Sequence, residues 1–169
     1  VPTMAYIGNL EKRLRKKKVP KLLHRFIEEH VRVGKRFLLF VPRITLLSPI
    51  EASLRQQFPN AKFETVSSKE PYRQERIAQM RAGELDFLVT TTILERGVTF
   101  PGVDVCVVNA HEEEFSREVL VQIAGRVGRT AECPTGEVVY FHNGKTKAMV
   151  QAVWEIKDLN QQALKGMEH

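Results

Sequence analysis

The sequence predicts one α/β domain built on a mainly parallel sheet with helices on both faces. Short apolar runs of strand length alternate with segments of helical periodicity, and the connections between them are short. A continuous apolar run, without alternating polar residues, is typical of a strand buried on both faces of a parallel sheet. The chain has 169 residues, 43% of them hydrophobic, which is enough to bury such a core in a single unit.

Capping residues and turn formers predict where the elements begin and end. Pro20 suits the first position of a helix, and Gly34 closes that helix. Ser48, Pro49 and Glu51 have the spacing of the cap, the first-turn proline and the third-position glutamate of another helix start. In chain order we expect a helix over 20–33, a strand over 37–41, a helix over 48–58, a strand over 62–66, a helix over 71–81, strands over 85–90 and 103–108, a helix over 116–123 capped by Ser116, a strand over 137–141 and a final helix from about residue 145.

The net charge of +6 is concentrated near the amino terminus. Residues 1–36 hold eleven Lys or Arg and three Glu, a balance of +8, so the remaining 133 residues sum to −2. The densest part is 11–18, EKRLRKKK, which would attract a polyanion such as nucleic acid and release its counterions. The alternative for such a run is a solvated linker or face. Tyr6, the aromatic residue close by, is either a base-stacking residue or a buried strand residue.

Cysteine usage and hydropathy exclude several classes of protein. Cys106 and Cys133 stand far apart and neither belongs to a CxxC pair, which argues against a zinc site or a disulfide framework and favours a reduced, cytoplasmic setting. No metal ligands are predicted. The longest apolar stretches are of strand length, so we expect no membrane span, and no export signal is recognisable. The chain opens mid-pattern with VPTMAYIGNL, which indicates a piece of a longer protein.

The segment 122–129, QIAGRVGR, is the first candidate functional site. Arg126 and Arg129 carry planar forks of donors that grip phosphate oxygens or neutralise the charge on a transferred phosphoryl group. Gly125 and Gly128 let a backbone or a ligand come close. The spacing of three predicts that both arginines point to one side of a helical turn. The alternative is a solvated arginine pair at a helix end.

The loop after the strand 85–90 is the second candidate, because ligands of parallel α/β sheets bind beyond the carboxyl ends of the strands. The hydroxyls of Thr90, Thr91 and Thr92 suit contact with a phosphodiester backbone. Gly97, further along this loop, lets the main chain approach a nucleotide. The alternative is that the threonines merely suit a strand end and that Arg-Gly is an ordinary turn.

Four segments in this order carry a family resemblance: an apolar strand ending FVPR, the segment 76–83 before DFLVTT, the loop TTTILERGVTFPGVDV, and QIAGRVGR. Together they resemble the second RecA-like motor domain of superfamily 2 helicases, over about residues 22–141. RGVTFPGV and QIAGRVGR are most like the late-competence DNA translocases, with the primosomal helicases as near relatives. The resemblance implies a three-layer sandwich of the P-loop NTPase type, with 20–169 as the helicase C-terminal domain and 1–19 as a basic segment or linker from an upstream motor domain.

The resemblance implies a nucleotide-facing set of residues. Arg126 and Arg129 match the two arginines of helicase motif VI, which contact the γ-phosphate of ATP held by the other motor domain, one of them as an arginine finger. Gln122 opens that motif. Gly97 and Thr99 match motif V positions near the nucleotide, although many RNA helicases have an aspartate where this chain has Thr99. The implied cofactors are ATP and Mg²⁺, bound mainly by the upstream motor domain of the same polypeptide.

The resemblance also implies contacts with single-stranded DNA. Thr91 matches the motif V threonine that touches the nucleic-acid backbone. Pro42 and Arg43 stand where motif IV begins, also near the strand, and Ser67 and Ser68 offer further phosphate contacts. The whole protein would be an ATP-dependent DNA translocase for DNA uptake in natural competence, cytoplasmic or at the inner face of the membrane with other DNA-uptake proteins. An RNA helicase motor domain and a non-catalytic nucleic-acid-binding module are the alternatives.

The chain lacks a complete phosphate-cradling loop of its own. The GKT at 144–146 looks like the end of a Walker A loop, but the earlier glycine would fall at Val139, inside a predicted strand. The run 106–112, CVVNAHE, imitates a Walker B strand, yet Asn109 replaces the usual aspartate. The glutamates at 112–114 are predicted to be a solvated loop. We therefore expect no ATP hydrolysis by this chain alone.

Overall fold

The structure, a computed structural model, describes residues 1–69, 71–91, 100–125, 127–128 and 136–167. Its strands and helices alternate along most of the chain. In order they are β1 (Thr3–Tyr6), α1 (Leu10–Arg15), α2 (Lys21–Val33), β2 (Phe37–Phe40), a 3₁₀ turn (Ile44–Leu46), α3 (Leu47–Gln57), β3 (Phe63–Val66), α4 (Arg73–Arg81), β4 (Phe87–Thr90), β5 (Phe100–Pro101), β6 (Asp104–Val107), α5 (Arg117–Ala124), β7 (Val127–Gly128), β8 (Val138–His142) and α6 (Lys147–Met167).

Six strands form one sheet in the order β1-β8-β6-β2-β4-β3, and each neighbouring pair is parallel. In the register, Phe40 at the end of β2 lies opposite Thr90 of β4 and Val107 of β6. The predicted parallel sheet is confirmed. Because parallel strands point the same way, all six carboxyl ends lie along one edge, which is here called the carboxyl edge.

Two hydrophobic clusters cover the two faces of the sheet. One holds buried residues of α1, α2 and α3, and the other holds buried residues of α4, α5 and α6. The central strand β2 serves both clusters, with Phe37 and Leu39 on the first face and Leu38 and Phe40 on the second. The three-layer arrangement expected from the sequence is therefore confirmed, and the period-two alternation of strand side chains explains it.

Three phenylalanines stack across the first of these faces. The ring of Phe87 lies between those of Phe37 and Phe63, at centroid distances of 4.6 and 4.7 Å. The same three residues are paired in the strand register. Aligned aromatic pairs of this kind fix the register of neighbouring strands.

The structure differs from the expected boundary at residue 19. β1 pairs in parallel with β8, from Thr3 opposite Val139 to Tyr6 opposite His142. Leu10 and Leu14 of α1 are buried in the first cluster. The amino-terminal residues thus complete one end of the sheet rather than leading up to it, because their apolar side chains find partners on β8 and α3.

Several helix ends were predicted correctly and one was not. Ser116 caps α5 by accepting a hydrogen bond from the Val119 amide, and Gly34 ends α2 in the left-handed conformation at φ 73°. The expected cap at Ser48 is wrong. The helix α3 begins at Leu47, directly after the 3₁₀ turn, so Ser48 lies within the first turn of α3. The buried side chains of Leu46 and Leu47 hold this earlier start against the core.

No helix within the described ranges combines the length and the apolar character needed to cross a bilayer.

Candidate functional site

The carboxyl edge collects the residues that the sequence assigned to nucleic-acid contact. Pro42 and Arg43 follow β2, Thr91 follows β4, and Ser67 and Ser68 follow β3. These three strands are adjacent, so residues up to 49 positions apart in the sequence reach neighbouring strand ends. Pro42 is buried, Ser67 is half-buried and Ser68 is exposed. This clustering is what a parallel sheet gives to residues that each follow a strand.

Thr91 presents a buried hydroxyl at this edge. Its side chain is 3% exposed, and Oγ1 has no hydrogen-bond partner among the described residues. The hydroxyl of Thr90 differs, because it donates to the Thr91 carbonyl oxygen at 3.2 Å. An unsatisfied buried hydroxyl costs free energy in the folded state. Thr91 therefore keeps a hydroxyl donor that no described residue uses.

Arg43 is bound by two carboxylates at the same edge. Its Nε donates to Oε1 of Glu112 at 3.0 Å, and its Nη2 donates to Oε1 of Glu11 at 3.2 Å. A third nitrogen, Nη1, donates to the hydroxyl of Thr45 at 3.0 Å. The hydrogen bond to Glu112 is the main reason that the pKa of Arg43 is raised. A phosphate that binds Arg43 must therefore compete with Glu11 and Glu112 for the guanidinium group.

Asn109 lies at the centre of this group. It is 1% exposed, has a left-handed backbone at φ 53°, and donates from Nδ2 to Glu11 at 3.0 Å and to Glu112 at 2.7 Å. Its Oδ1 has no partner among the residues described. Asparagine tolerates the left-handed conformation better than most residues. Asn109 and Arg43 each bind two carboxylates, that of Glu11 on α1 and that of Glu112 in the loop after β6.

Sequence reasoning missed two members of this network, Glu112 and Glu11. Glu112 was expected in a solvated loop, but its side chain is only 18% exposed and binds Arg43 and Asn109. Glu11 was read as part of a basic run. The useful signal was Asn109 itself, a polar residue directly after an apolar strand, at the edge where Arg43 also lies.

The helix α5 leads to the segment 122–129, the first of the two candidate sites. Tyr140, fully buried on β8, donates its hydroxyl to the Leu120 carbonyl oxygen at 3.0 Å. Burial raises the pKa of Tyr140, so this hydroxyl stays protonated and donating. Leu120 and Ile123 face the core, whereas Gln122 is exposed. Gln122 therefore projects from a helix that is fixed to the sheet.

The expected placement of Arg126 and Arg129 on one side of a helical turn stays a prediction, because both residues lie outside the described ranges. α5 ends at Ala124, before either arginine, and Val127–Gly128 form a short strand paired in parallel with Phe100–Pro101. The pairing joins the segment after α5 to the segment before β6. Arg126, Arg129, Gly97 and Thr99 lie outside the described residues, as do Thr92 and Cys133.

A different polar cluster lies at the opposite, amino-terminal edge of the sheet. Side-chain atoms of His30, Asp104 and Glu137 all lie within 4.8 Å of one another, which is close enough to hold a metal ion. His30 Nε2 lies 2.8 Å from Asp104 Oδ2, and Nδ1 lies 2.8 Å from the Phe26 carbonyl oxygen. Both ring nitrogens therefore donate protons to oxygen acceptors, so a metal would have to displace a proton. The cluster is better described as a buried ion pair.

Comparison with known proteins identifies relatives of this chain. The family described as "Helicase conserved C-terminal domain" matches residues 16–131. The chain is 42% identical to "Competence protein ComFA" of Bacillus subtilis (strain 168) over 97% of this chain and 35% of that protein. It is 38% identical to "Competence protein ComFA" of Streptococcus pneumoniae (strain ATCC BAA-255 / R6) over 96% of this chain and 38% of that one. The chain thus spans little more than a third of the length of these curated relatives.

Solved structures support the fold. The second domain of the DEAD-box helicase Mss116p, solved bound to an RNA duplex, superposes with a TM-score of 0.62 at 18% identity, covering 83% of this chain and 53% of that one. The E. coli DEAD-box protein SrmB, solved with the regulator RraA, also gives a TM-score of 0.62 at 18% identity, covering 84% of this chain and 77% of that one. The all-parallel sheet with helices on both faces therefore has the RecA-like fold of these domains.

Proposed function

This chain belongs to the helicase conserved C-terminal domain family, and from that premise we propose that it is the second motor domain of an ATP-dependent superfamily 2 DNA translocase. Similarity to two competence proteins over nearly the whole chain supports single-stranded DNA uptake as its task. In this proposal the chain works on the cytoplasmic side, together with an upstream motor domain of the same polypeptide and other DNA-uptake proteins.

The described residues do not supply a nucleotide cradle. Val139, where a Walker A loop needs its first glycine, lies inside β8 and pairs with Thr3 and Cys106 on either side. The segment 144–146 therefore cannot wrap phosphates in the way that a P-loop does. In our proposal this chain forms one wall of a site whose phosphate cradle and magnesium ligands belong to the upstream domain.

The wall is proposed to consist of the end of α5 and the segments beside β5 and β7. Gln122 is exposed on the last turn of α5. Arg126 and Arg129 flank β7 in the sequence and would neutralise charge on the terminal phosphate, while Gly97 and Thr99 would approach the nucleotide from the loop before β5. Bound ATP with Mg²⁺ supplies the phosphoryl group whose hydrolysis drives the cycle. Closure of the two domains would bring the arginines to that phosphate.

The carboxyl edge is proposed to hold the DNA backbone, and one observation carries this assignment. Thr91, Arg43 and Pro42 occupy adjacent strand ends, and the Thr91 hydroxyl has no partner among the described residues. A phosphate oxygen at this edge would accept the hydrogen bond that Thr91 has available. Arg43 would give up its hydrogen bonds to Glu11 and Glu112 and bind a DNA phosphate instead. Ser67 and Ser68, which follow β3, would contact further phosphates.

The test uses the full-length protein with Arg129→Ala and Arg117→Ala. Arg117 lies at the start of α5 and pairs only with its exposed neighbour Glu118 among the described residues, so it serves as the matched control. An arginine finger contributes about 10³-fold or more to kcat. We expect Arg129→Ala to lower DNA-stimulated ATP hydrolysis by about that factor while ATP binding is retained, and Arg117→Ala to have little effect. Unchanged hydrolysis in Arg129→Ala contradicts the finger assignment.

A second set of measurements tests whether the ATP site is shared between two domains and whether DNA or RNA stimulates hydrolysis. Hydrolysis by the 169-residue chain alone would contradict a site shared between two domains. Hydrolysis by the full-length protein is then measured with single-stranded DNA and with RNA of the same sequence. Stimulation by RNA and not by DNA would replace the DNA translocase with an RNA helicase.

A further inference from the structure

Cationic side chains line a cleft between the end of β1 and α1. The cleft has a volume of about 450 Å³, and Lys12, Arg13, Lys16 and Lys18 are its charged lining residues. A second cleft of about 430 Å³ on the α2 side shares Arg13 and Lys18 and adds Lys21 and Arg25. The two clefts are therefore neighbours along one basic surface. Glu28 in the second cleft is the acidic residue of this basic surface, and the described lining of the first cleft contains none.

The fold holds these cations in place. Leu10 and Leu14 anchor α1 to the core, so the intervening Lys12 and Arg13 face solvent. The Asn9 side chain caps the helix by accepting from the Lys12 amide at 3.1 Å. After the helix, Lys17 adopts a left-handed backbone at φ 58°, and the amides of residues 16–18 all donate to carbonyl oxygens of α1. The basic run is thus a structured surface rather than a loose linker.

The cations of the first cleft have no anionic partners in the part of the chain that the structure describes. Lys12, Arg13, Lys16 and Lys18 are exposed and take part in no ion pair there. Arginines elsewhere, such as Arg43, pair with carboxylates. Four like charges around one cleft repel each other, and a polyanion would relieve that repulsion while releasing its counterions.

An exposed aromatic ring stands beside the cleft. Tyr6 ends β1 and is 64% exposed, so it is not the buried strand residue that was one of two expectations. Its hydroxyl lies 4.0 Å from the position that a Cβ on Gly8 would occupy, and Gly8 lines the cleft. Cations that follow a phosphate chain, together with an aromatic ring on which a base stacks, are the usual elements of a single-strand binding site.

The cleft also connects with the carboxyl edge. Glu11 lies on α1 between the anchoring residue Leu10 and the cationic residue Lys12. It bonds to Arg43 at 3.2 Å and to Asn109 at 3.0 Å. The helix α1 therefore contributes to both, with Glu11 in the network at the edge and Lys12 in the lining of the cleft.

We propose that the cleft between β1 and α1 binds the backbone of single-stranded DNA, with Tyr6 stacking on a base, so that the DNA path continues from the carboxyl edge onto α1. This proposal rests on the proposed function only for the identity of the polymer. It adds a binding site outside the segments that resemble helicase motifs.

The test compares two triple variants of this chain that remove the same charge. The cleft variant is Lys12→Gln, Lys16→Gln and Lys18→Gln, and the control is Lys147→Gln, Lys157→Gln and Lys165→Gln, three exposed lysines of α6. Binding of fluorescein-labelled oligothymidylate is measured by anisotropy over a salt series. Each phosphate contact contributes about 0.7 to the slope of log affinity against log salt for single strands, so we expect the cleft variant to lose about 2 units of slope. The control should keep the slope of the parent chain.

Tyr6 is tested with a conservative pair. Tyr6→Leu removes the aromatic face and should weaken binding about tenfold, whereas Tyr6→Phe should bind nearly as the parent chain does. Thermal unfolding of each variant reports whether β1 stays paired with β8. A loss that Tyr6→Phe shares with Tyr6→Leu would contradict stacking.

Each outcome decides the proposal. Equal losses in the two lysine variants would mean that net charge alone attracts DNA, and would overturn the cleft site. Absence of oligothymidylate binding by the parent chain at low salt would overturn it as well, and so would binding of oligouridylate alone. None of these results changes ATP hydrolysis by the Arg129 variant of the full-length protein, so failure of the cleft and failure of the motor assignment are distinguishable.

Discussion

His30 Nε2 lies 2.8 Å from Asp104 Oδ2, and this pair joins the end of α2 to the start of β6 in the interior of the protein. The other ring nitrogen lies 2.8 Å from the Phe26 carbonyl oxygen, so the folded state offers an oxygen acceptor to each N–H of protonated His30. Burial alone lowers the pKa of His30, but the hydrogen bonds to Asp104 and Phe26 and the charges of Asp104 and Glu137 outweigh it and raise that pKa.

The first prediction is that stability falls as pH rises through the raised pKa of His30. The ordinary pKa is 6.5, so the contribution is complete below that pH and is lost above the higher folded value. Urea unfolding at a series of pH values from acid to alkaline measures it. His30→Gln should be destabilised by about 3 kcal/mol at low pH, because a buried carboxylate loses its partner, and should lack this pH dependence. An equal slope in both proteins would assign the titration to another group.

The second prediction concerns the carboxylates on Arg43. Glu112→Gln removes a charge that competes with phosphate, so we expect DNA affinity of the chain to rise several-fold. Glu113→Gln is the matched control, because Glu113 is exposed and removes the same charge one residue away. Anisotropy titration with single-stranded DNA compares them. If both variants gained the same DNA affinity, the gain would not come from freeing Arg43 from Glu112.

The third prediction separates stability from binding at Thr91. Thr91→Val removes a buried hydroxyl that has no partner among the described residues, so the free energy of unfolding should stay level or rise by about 1 kcal/mol. DNA affinity should fall, since the donor proposed for the backbone is gone. Thr90→Val is the contrasting variant, because Thr90 uses its hydroxyl within the fold and should lose stability. A destabilised Thr91→Val with unchanged DNA binding would refute both parts.

The fourth prediction concerns the amino-terminal residues. Deleting 1–19 uncovers Val139 and Phe141 of β8, which are only 6% and 2% exposed, and removes buried Leu10 and Leu14. Each buried leucine contributes about 2 kcal/mol. We therefore expect the melting temperature to fall by about 10 °C or more. Deleting 163–167 together with the last two residues is the control, because the described side chains there are exposed. A folded, equally stable 20–169 would show that β1 is dispensable.

Local patterns were sufficient for most elements. Residues 37–41 were predicted as a strand buried on both faces because every side chain is apolar, and Phe37 through Phe40 are indeed buried. Ser116 and Gly34 were predicted from short-range rules of capping and backbone conformation, which act within one turn. The prediction of a cap at Ser48 was wrong because a helix that starts at Leu47 buries this side chain against the core. Such tertiary contacts outweigh the free energy of an ordinary cap.

The site was predictable only where each residue follows a strand. Pro42, Arg43 and Thr91 were assigned together through the resemblance to helicase motifs, and they lie together because strand ends align in a parallel sheet. The carboxylates of Glu11 and Glu112 could not be assigned to Arg43, since their partners lie 32 and 69 residues away and no local rule joins them. The two-residue pairing of β5 with β7 is also non-local, so no local rule predicts it.

The sequence by itself determined the fold class, the order of most elements and the family, because apolar periodicity, caps and motif order are all local properties of the chain. Only the tertiary structure decided that the amino-terminal run completes the sheet, that its lysines line a cleft with no acidic residue in its described lining, and that Tyr6 stands beside them in solvent. The physical reason is that pairing between β1 and β8 spans more than 130 residues, so its energy depends on contacts that form only when the whole sheet is assembled.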